Sequence, residues 1–157
     1  MEITMNSTLT YSLVMLVAGL GIPIMASLNG GLGAKLESPA LAATILLSVG
    51  LAIAIIYLLS TEGIPTRLYT PETPWHFYLG GFFVVFYILT ITWIAPHFGI
   101  SNAVSFVLLG QLIAMSIIDY YGFLGMTQYA LSTQRIAGLV LMSVGVFMVL
   151  SKLPEKI

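Results

Sequence analysis

Gln111 stands in the middle of a long apolar run, directly after Gly110 and eight residues before Asp119. A carboxamide both donates and accepts hydrogen bonds, and hydrocarbon offers it neither, so such a side chain must face protein or water. Two kinds of chemistry fit: an interhelical hydrogen bond that glues a bundle, typically about 1 kcal/mol, or the lining of a site for a polar small molecule. Gly110 removes a side chain beside it, which lets another helix approach or opens room for a ligand. Ser105 adds a hydroxyl on the same segment, and neither residue brings a charge.

Other candidates have similarly mild chemistry. Asn29 follows Pro23 in the first apolar segment. It either joins a substrate site, if the helix unwinds after the proline, or closes the helix as a left-handed C-cap. Tyr87 shares a helical stripe with Gly80 and Val84 through spacings of three and four; its phenol can stack on a substrate, bond Gln111 or simply pack. Asp119 is the sole acidic residue within or at the edge of the four later segments. An ion pair with Arg135 that fixes a helical hairpin is the expectation, with ion coupling as the alternative. No carboxylate sits mid-segment, which argues against a site for lipophilic cations and favours a neutral, zwitterionic or aromatic compound.

Several classes drop out. The chain has no cysteine, so thiolate catalysis, disulfides and cysteine-ligated metals are excluded. His76 and His97 have no companions at ligand spacing, so no metal or other cofactor is expected. No nucleophile or acid–base pair is arranged for catalysis, and an enzyme is the weakest reading. A net charge of −1 without a basic cluster leaves no footprint for nucleic acid and no polybasic lipid anchor.

The elements that must position these residues are transmembrane helices. Hydrophobic residues make up 59% of the 157 and charged ones 7%, against roughly a quarter charged in a soluble domain. Segments near the roughly 20-residue spanning length run Leu9–Leu28, Pro39–Ser60, Trp75–Ile94, Ser101–Tyr120 and Gln134–Ser151. The expected fold is therefore all-α: a single integral membrane domain of five helices. The first segment lacks a basic region before it and is expected to be retained rather than cleaved. Pro23 should bend or break it, and it should end near Asn29-Gly30-Gly31. Ser38 and Pro39 mark a helix start, Thr61 to Pro74 reads as the longest loop, and Ile94 to Gly99 as a tight connection into a helix capped by Ser101 or Asn102. Gly122 to Ser132 forms the last loop. Tyr57, Trp75, Tyr78, Trp93, Tyr120 and Tyr121 cluster near segment ends, as interfacial anchors do.

An odd number of spans places the termini on opposite sides. Arg67 and Arg135 then fall on the N-terminal side and Lys35, Lys152 and Lys156 on the other. Two against three is hardly a bias under the positive-inside rule. Either a weak but uniform orientation results, or copies insert both ways and pair antiparallel, generating the inverted repeats that many transporters use.

The second half carries the most patterned residues: Trp75 with Gly80-Gly81, Gly110-Gln111, Asp119 with Gly122, Arg135 with Gly138, and Gly145-Val146. In order and spacing this set resembles the YdcZ-like half-size family of the drug/metabolite transporter superfamily, over roughly Trp75 to Leu150. In the first half Asn29 falls where that family places an Asn, while Met25 stands where a Gln is usual and Val84 where a third Gly would complete the segment. The resemblance implies a bacterial inner-membrane protein of five helices, working as an antiparallel homodimer that imitates a fused ten-helix transporter. Gly80 and Gly81, and Gly138 and Gly145 seven apart, offer helix-packing gaps; the latter pair is the expected dimer seam, with an internal contact as the alternative.

The reading is a secondary transporter of a small metabolite or drug-like compound by alternating access. A non-transporting assembly subunit, or one half of an obligate heterodimer, is the alternative. The absence of cysteine makes orientation measurable: a cysteine at Ser7 or Ser151, exposed to an impermeant thiol reagent in intact cells, should label in about half of the molecules if copies insert both ways. Complete labelling at one terminus and none at the other would mean a fixed orientation.

Overall fold

A computed structural model describes residues 2–67, 70–130 and 132–150, with side chains described for 7–67, 70–130 and 132–148. Ser151, Lys152 and Lys156, used in the orientation argument above, lie outside the described residues. Five α-helices follow in order: α1 (Glu2–Lys35), α2 (Pro39–Thr61), α3 (Gly80–Phe98), α4 (Ile100–Tyr121) and α5 (Thr133–Leu150). Short 3-10 turns at Trp75–Leu79 and Phe123–Gly125 precede α3 and follow α4. Four stretches are long and apolar enough to cross a membrane: Ser7–Lys35, Pro39–Thr61, Trp75–Phe98 and Ile100–Tyr121. At 1.5 Å per residue, the 18 residues of α5 reach about 27 Å, close to the ~30 Å hydrocarbon thickness. The protein is an all-α, multi-pass membrane bundle. Its described residues form two compact units, one ending at His97 with α1, α2 and α3, the other starting at Phe98 with α4 and α5.

In the first unit α1 does not stop where its Asn and glycines predict. It runs through Pro23 and beyond Gly31 to Lys35, because tertiary packing overrides local propensity there. Asn29, Gly30 and Gly33 are buried. A Cβ built on Gly30 would lie 3.6 Å from the Pro96 ring, and one on Gly33 would lie 3.0 Å from the Thr92 methyl and 3.4 Å from the Pro39 Cα. Gly33 is thus the point where α1, α2 and α3 meet, and small side chains line the same contact, with Ala26, Ala42, Ala43 and Ala95 all buried.

The turn after Lys35 explains how α1 ends. Glu37 takes a left-handed conformation at φ 51°. Its N–H bonds the Ala34 carbonyl at 3.3 Å, and the Ser38 N–H bonds the Gly33 carbonyl at 3.1 Å. This is a Schellman closure with glutamate where glycine is usual. Ser38 then caps α2, its hydroxyl oxygen accepting from the Leu41 N–H at 3.2 Å, and Pro39 occupies the first helical position. Two turns of loop are thereby compressed into three residues, and α1 packs along α2.

The connection expected over Ile94 to Gly99 is shorter than the sequence implies. Pro96 lies inside α3, which continues to Phe98, and Gly99 at φ 89° supplies the N-cap of α4. Neither Ser101 nor Asn102 caps that helix: both lie within it, and Asn102 donates back to the Phe98 carbonyl at 2.8 Å. Pro96 has no N–H to donate to the Thr92 carbonyl, so α3 lacks that bond one turn before its end. In the second unit α4 packs against α5. Gly122 closes α4 in the left-handed region, and Ser132 starts α5, its hydroxyl oxygen accepting from the Arg135 N–H at 3.2 Å.

Gly33→Ala should destabilise the first unit by about 1–3 kcal/mol, since the new methyl meets backbone and a buried β-branched side chain. Gly31→Ala, whose Cβ has nothing within 4 Å, should be neutral or stabilising by up to about 1 kcal/mol. Thermal denaturation of both variants in detergent compares them directly; equal melting temperatures would remove Gly33 as the close-packing point.

Candidate functional site

The first unit holds a buried polar pair. Asn29 of α1 and Thr92 of α3 are 2% and 1% exposed, and the Asn29 amide nitrogen donates to the Thr92 hydroxyl oxygen. The Thr92 hydroxyl in turn donates to the Ile88 carbonyl at 2.6 Å. With that single hydrogen committed, the threonine oxygen serves Asn29 as acceptor, which fixes the amide's orientation. Among the described residues the Asn29 carbonyl oxygen is left buried without a partner, and so is the Tyr87 hydroxyl. Each such atom costs about 1–3 kcal/mol unless a further group meets it. Asn29 therefore neither follows an unwound turn nor caps a helix end; it is an interior helical residue with one unused acceptor. Nothing in the sequence singled out Thr92. Its partner is 63 positions away, and spacing within one helix carries no trace of that contact.

On α4, Gln111 is exposed, and among the described residues its carboxamide makes no hydrogen bond within the chain. Gly110 has nothing within 4 Å of a built Cβ, so the space beside Gln111 is open. Ser105 bonds the Ser101 carbonyl at 2.8 Å. Six residues of helix turn it about 120° away from Gln111, so the two do not share a face. Among the described residues Gly80, Gly81, Gly138 and Gly145 also have nothing within 4 Å of a built Cβ.

At the far end of α4 the chain builds a clasp. Arg135 donates to the Asp119 carboxylate in an ion pair. The segment before α5 folds back over the same helix end: the Tyr129 N–H bonds the Asp119 carbonyl at 2.8 Å, and the Gln128 amide bonds the Tyr120 carbonyl at 2.9 Å. A Cβ on Gly122 would lie 3.3 Å from both the Gln128 Cβ and the Met126 carbonyl oxygen, so glycine is needed there for space and for its φ of 64°. Gln128 was not a sequence candidate; its partner is eight residues away in an irregular loop. Two open clefts lie at helix ends and loops, one lined by Pro71, Thr73, Pro74, Trp75 and Tyr78, the other by Tyr120, Tyr121, Gln128, Tyr129 and Ala130.

The side chains of Arg135 and Asp119 are 38% and 28% exposed. Solvent screening should hold their coupling to about 1 kcal/mol or less. A double-mutant cycle with Asp119→Asn and Arg135→Gln, read by thermal denaturation, should show the double variant to be little worse than either single one. Full additivity would mean that the pair does not hold the hairpin.

Two polar centres without a charge, a neutralised Asp119–Arg135 clasp and apolar helices carrying both are the features to compare with known proteins. No curated protein and no solved structure matches the chain. Residues 10–148, which reach from within α1 to within α5, match the family described as "Putative inner membrane exporter, YdcZ". The chain belongs to this family of inner-membrane transporters.

Proposed function

We propose that the chain is one half of a secondary transporter that moves a small neutral, zwitterionic or aromatic compound by alternating access, two copies pairing in opposite orientations. The carrying observation is the charge accounting. Asp119, at the end of α4, is already paired with Arg135, while the polar groups inside the helices for which no partner is found among the described residues include the Asn29 carbonyl, the Tyr87 hydroxyl and the Gln111 carboxamide. A cation has no free anionic partner among these groups, whereas hydrogen-bonding neutral compounds do. The family's description supports transport, and its wording makes export the direction to test first.

The paired arrangement is supported by what the chain leaves open. Large apolar side chains are exposed along every helix, among them Leu16, Ile53, Phe86, Met115 and Leu141, and among the described residues nothing lies within 4 Å of a Cβ built on the glycines of α3 and α5. Inverted pairing of two such bundles creates the midplane interface at which transporters commonly bind substrate.

In proteoliposomes, Gln111→Ala should lower transport of a neutral or zwitterionic compound about tenfold, the effect of one lost ligand hydrogen bond, while insertion persists. Asp119→Asn should leave transport and its response to a proton gradient in place. Unchanged flux in Gln111→Ala removes that residue from the site; loss of gradient dependence in Asp119→Asn makes Asp119 a coupling group.

A further inference from the structure

We propose that α4 seats against α4 of a second, oppositely oriented copy, the two Gln111 carboxamides hydrogen-bonding each other at the bilayer midplane. This rests on the antiparallel reading above and adds to it one contact of the pair, in which each carboxamide keeps a second N–H and a carbonyl lone pair for substrate.

The starting point is an unmet demand. Gln111 is exposed, has no hydrogen bond among the described residues, and lies in a helix of spanning length. Lipid tails supply no donor or acceptor, and another molecule can. Its position says which one. Gln111 is 11 residues after Ile100 and 10 before Tyr121, so the midpoint of α4 falls between Gly110 and Gln111. When two copies of a helix cross antiparallel about an axis in the membrane plane, residues at the midpoint meet their own counterparts; those away from it meet residues from the other half. Only a mid-span side chain can then partner itself. It must also be self-complementary, and a carboxamide is: each offers an N–H to the other's carbonyl, where two like charges would repel.

The surrounding face permits the approach. Gly110 and Ala114, four apart, lie on the same side of α4, and both are exposed. Gly110 has nothing within 4 Å of a built Cβ. Small residues at this spacing let two transmembrane backbones come close enough for short side chains to bond across the contact. Val107 and Ala114 lie equally far from the midpoint on the same face, so each should meet the other's counterpart in the second copy.

Because the chain has no cysteine, the contact can be read by oxidative cross-linking in native membranes. Gln111→Cys should give a disulfide-linked dimer as the dominant species. Val107→Cys and Ala114→Cys, expressed together, should cross-link to each other and not to themselves. Gly50→Cys, at the midpoint of α2 and exposed, should stay monomeric and so controls for depth and random collision. Labelling of a cysteine at Ser7 runs in parallel and reports orientation and insertion. If Gln111→Cys or the Val107/Ala114 pair fails to cross-link while Ser7 labels on both sides, the α4 contact is overturned and the antiparallel reading survives. If Val107→Cys and Ala114→Cys each cross-link to themselves, or Ser7 labels on one side alone, both fall.

Discussion

Lipid offers no hydrogen bonds, and nearly every irregularity of this chain is arranged around that fact. The hydroxyls of the spans illustrate it most simply. Ser27, Thr44, Ser48, Thr90, Ser105, Ser116 and Ser143 each donate to the carbonyl four residues earlier, so small polar residues cost the helices little and need no neighbour. The same constraint keeps α1 helical past Pro23, Asn29 and two glycines. Unwinding there would expose backbone groups to hydrocarbon, while staying helical lets Gly30 and Gly33 bring the backbone against α3 and α2. The proline's lost bond is a smaller penalty than a turn of unsatisfied backbone.

Close packing and polar pairing are coupled at that junction. Asn29 reaches Thr92 because Gly33 lies a single helical turn further on and carries no side chain to hold α3 away. Thr92 accepts from Asn29 because its own hydrogen is committed to Ile88. The glutamate at position 37, in a conformation that favours glycine, costs about 1–2 kcal/mol, yet it lets α1 close and α2 begin within three residues. Packing of α1 along α2 offsets that local strain.

Composition and hydropathy made the number and approximate extent of the helices legible, and the late motifs made the family legible. What they missed is of one physical kind. Local signals at Asn29-Gly30-Gly31 and at Pro96 argue for helix ends, but the residues that overrule them, Thr92 and Pro39, are distant in sequence. Ser38-Pro39 was readable because a cap acts within four residues. The Asp119–Arg135 pair was a legible expectation because a short hairpin brings adjacent helix ends together; the Gln128 and Tyr129 contacts that reinforce it depend on a left-handed Leu124 at φ 59°, for which no residue pattern gives warning.

The two unmet amides, finally, ask for different things. The Asn29 carbonyl is sealed, so whatever satisfies it must arrive with a rearrangement of α1 and α3 or as an internal water, and it accepts only. Gln111 stands open at mid-span and both donates and accepts. A group that only accepts, held in a close-packed junction, is suited to discriminate between conformations, because opening the junction relieves its penalty. A group that does both, on an open face, is suited to recognition. The proposed alternating access calls for one of each: a contact that costs energy in one state and a surface that binds in it. The first sits in the unit of α1, α2 and α3 and the second in the unit of α4 and α5, which on that proposal assigns switching and recognition to separate parts of the chain.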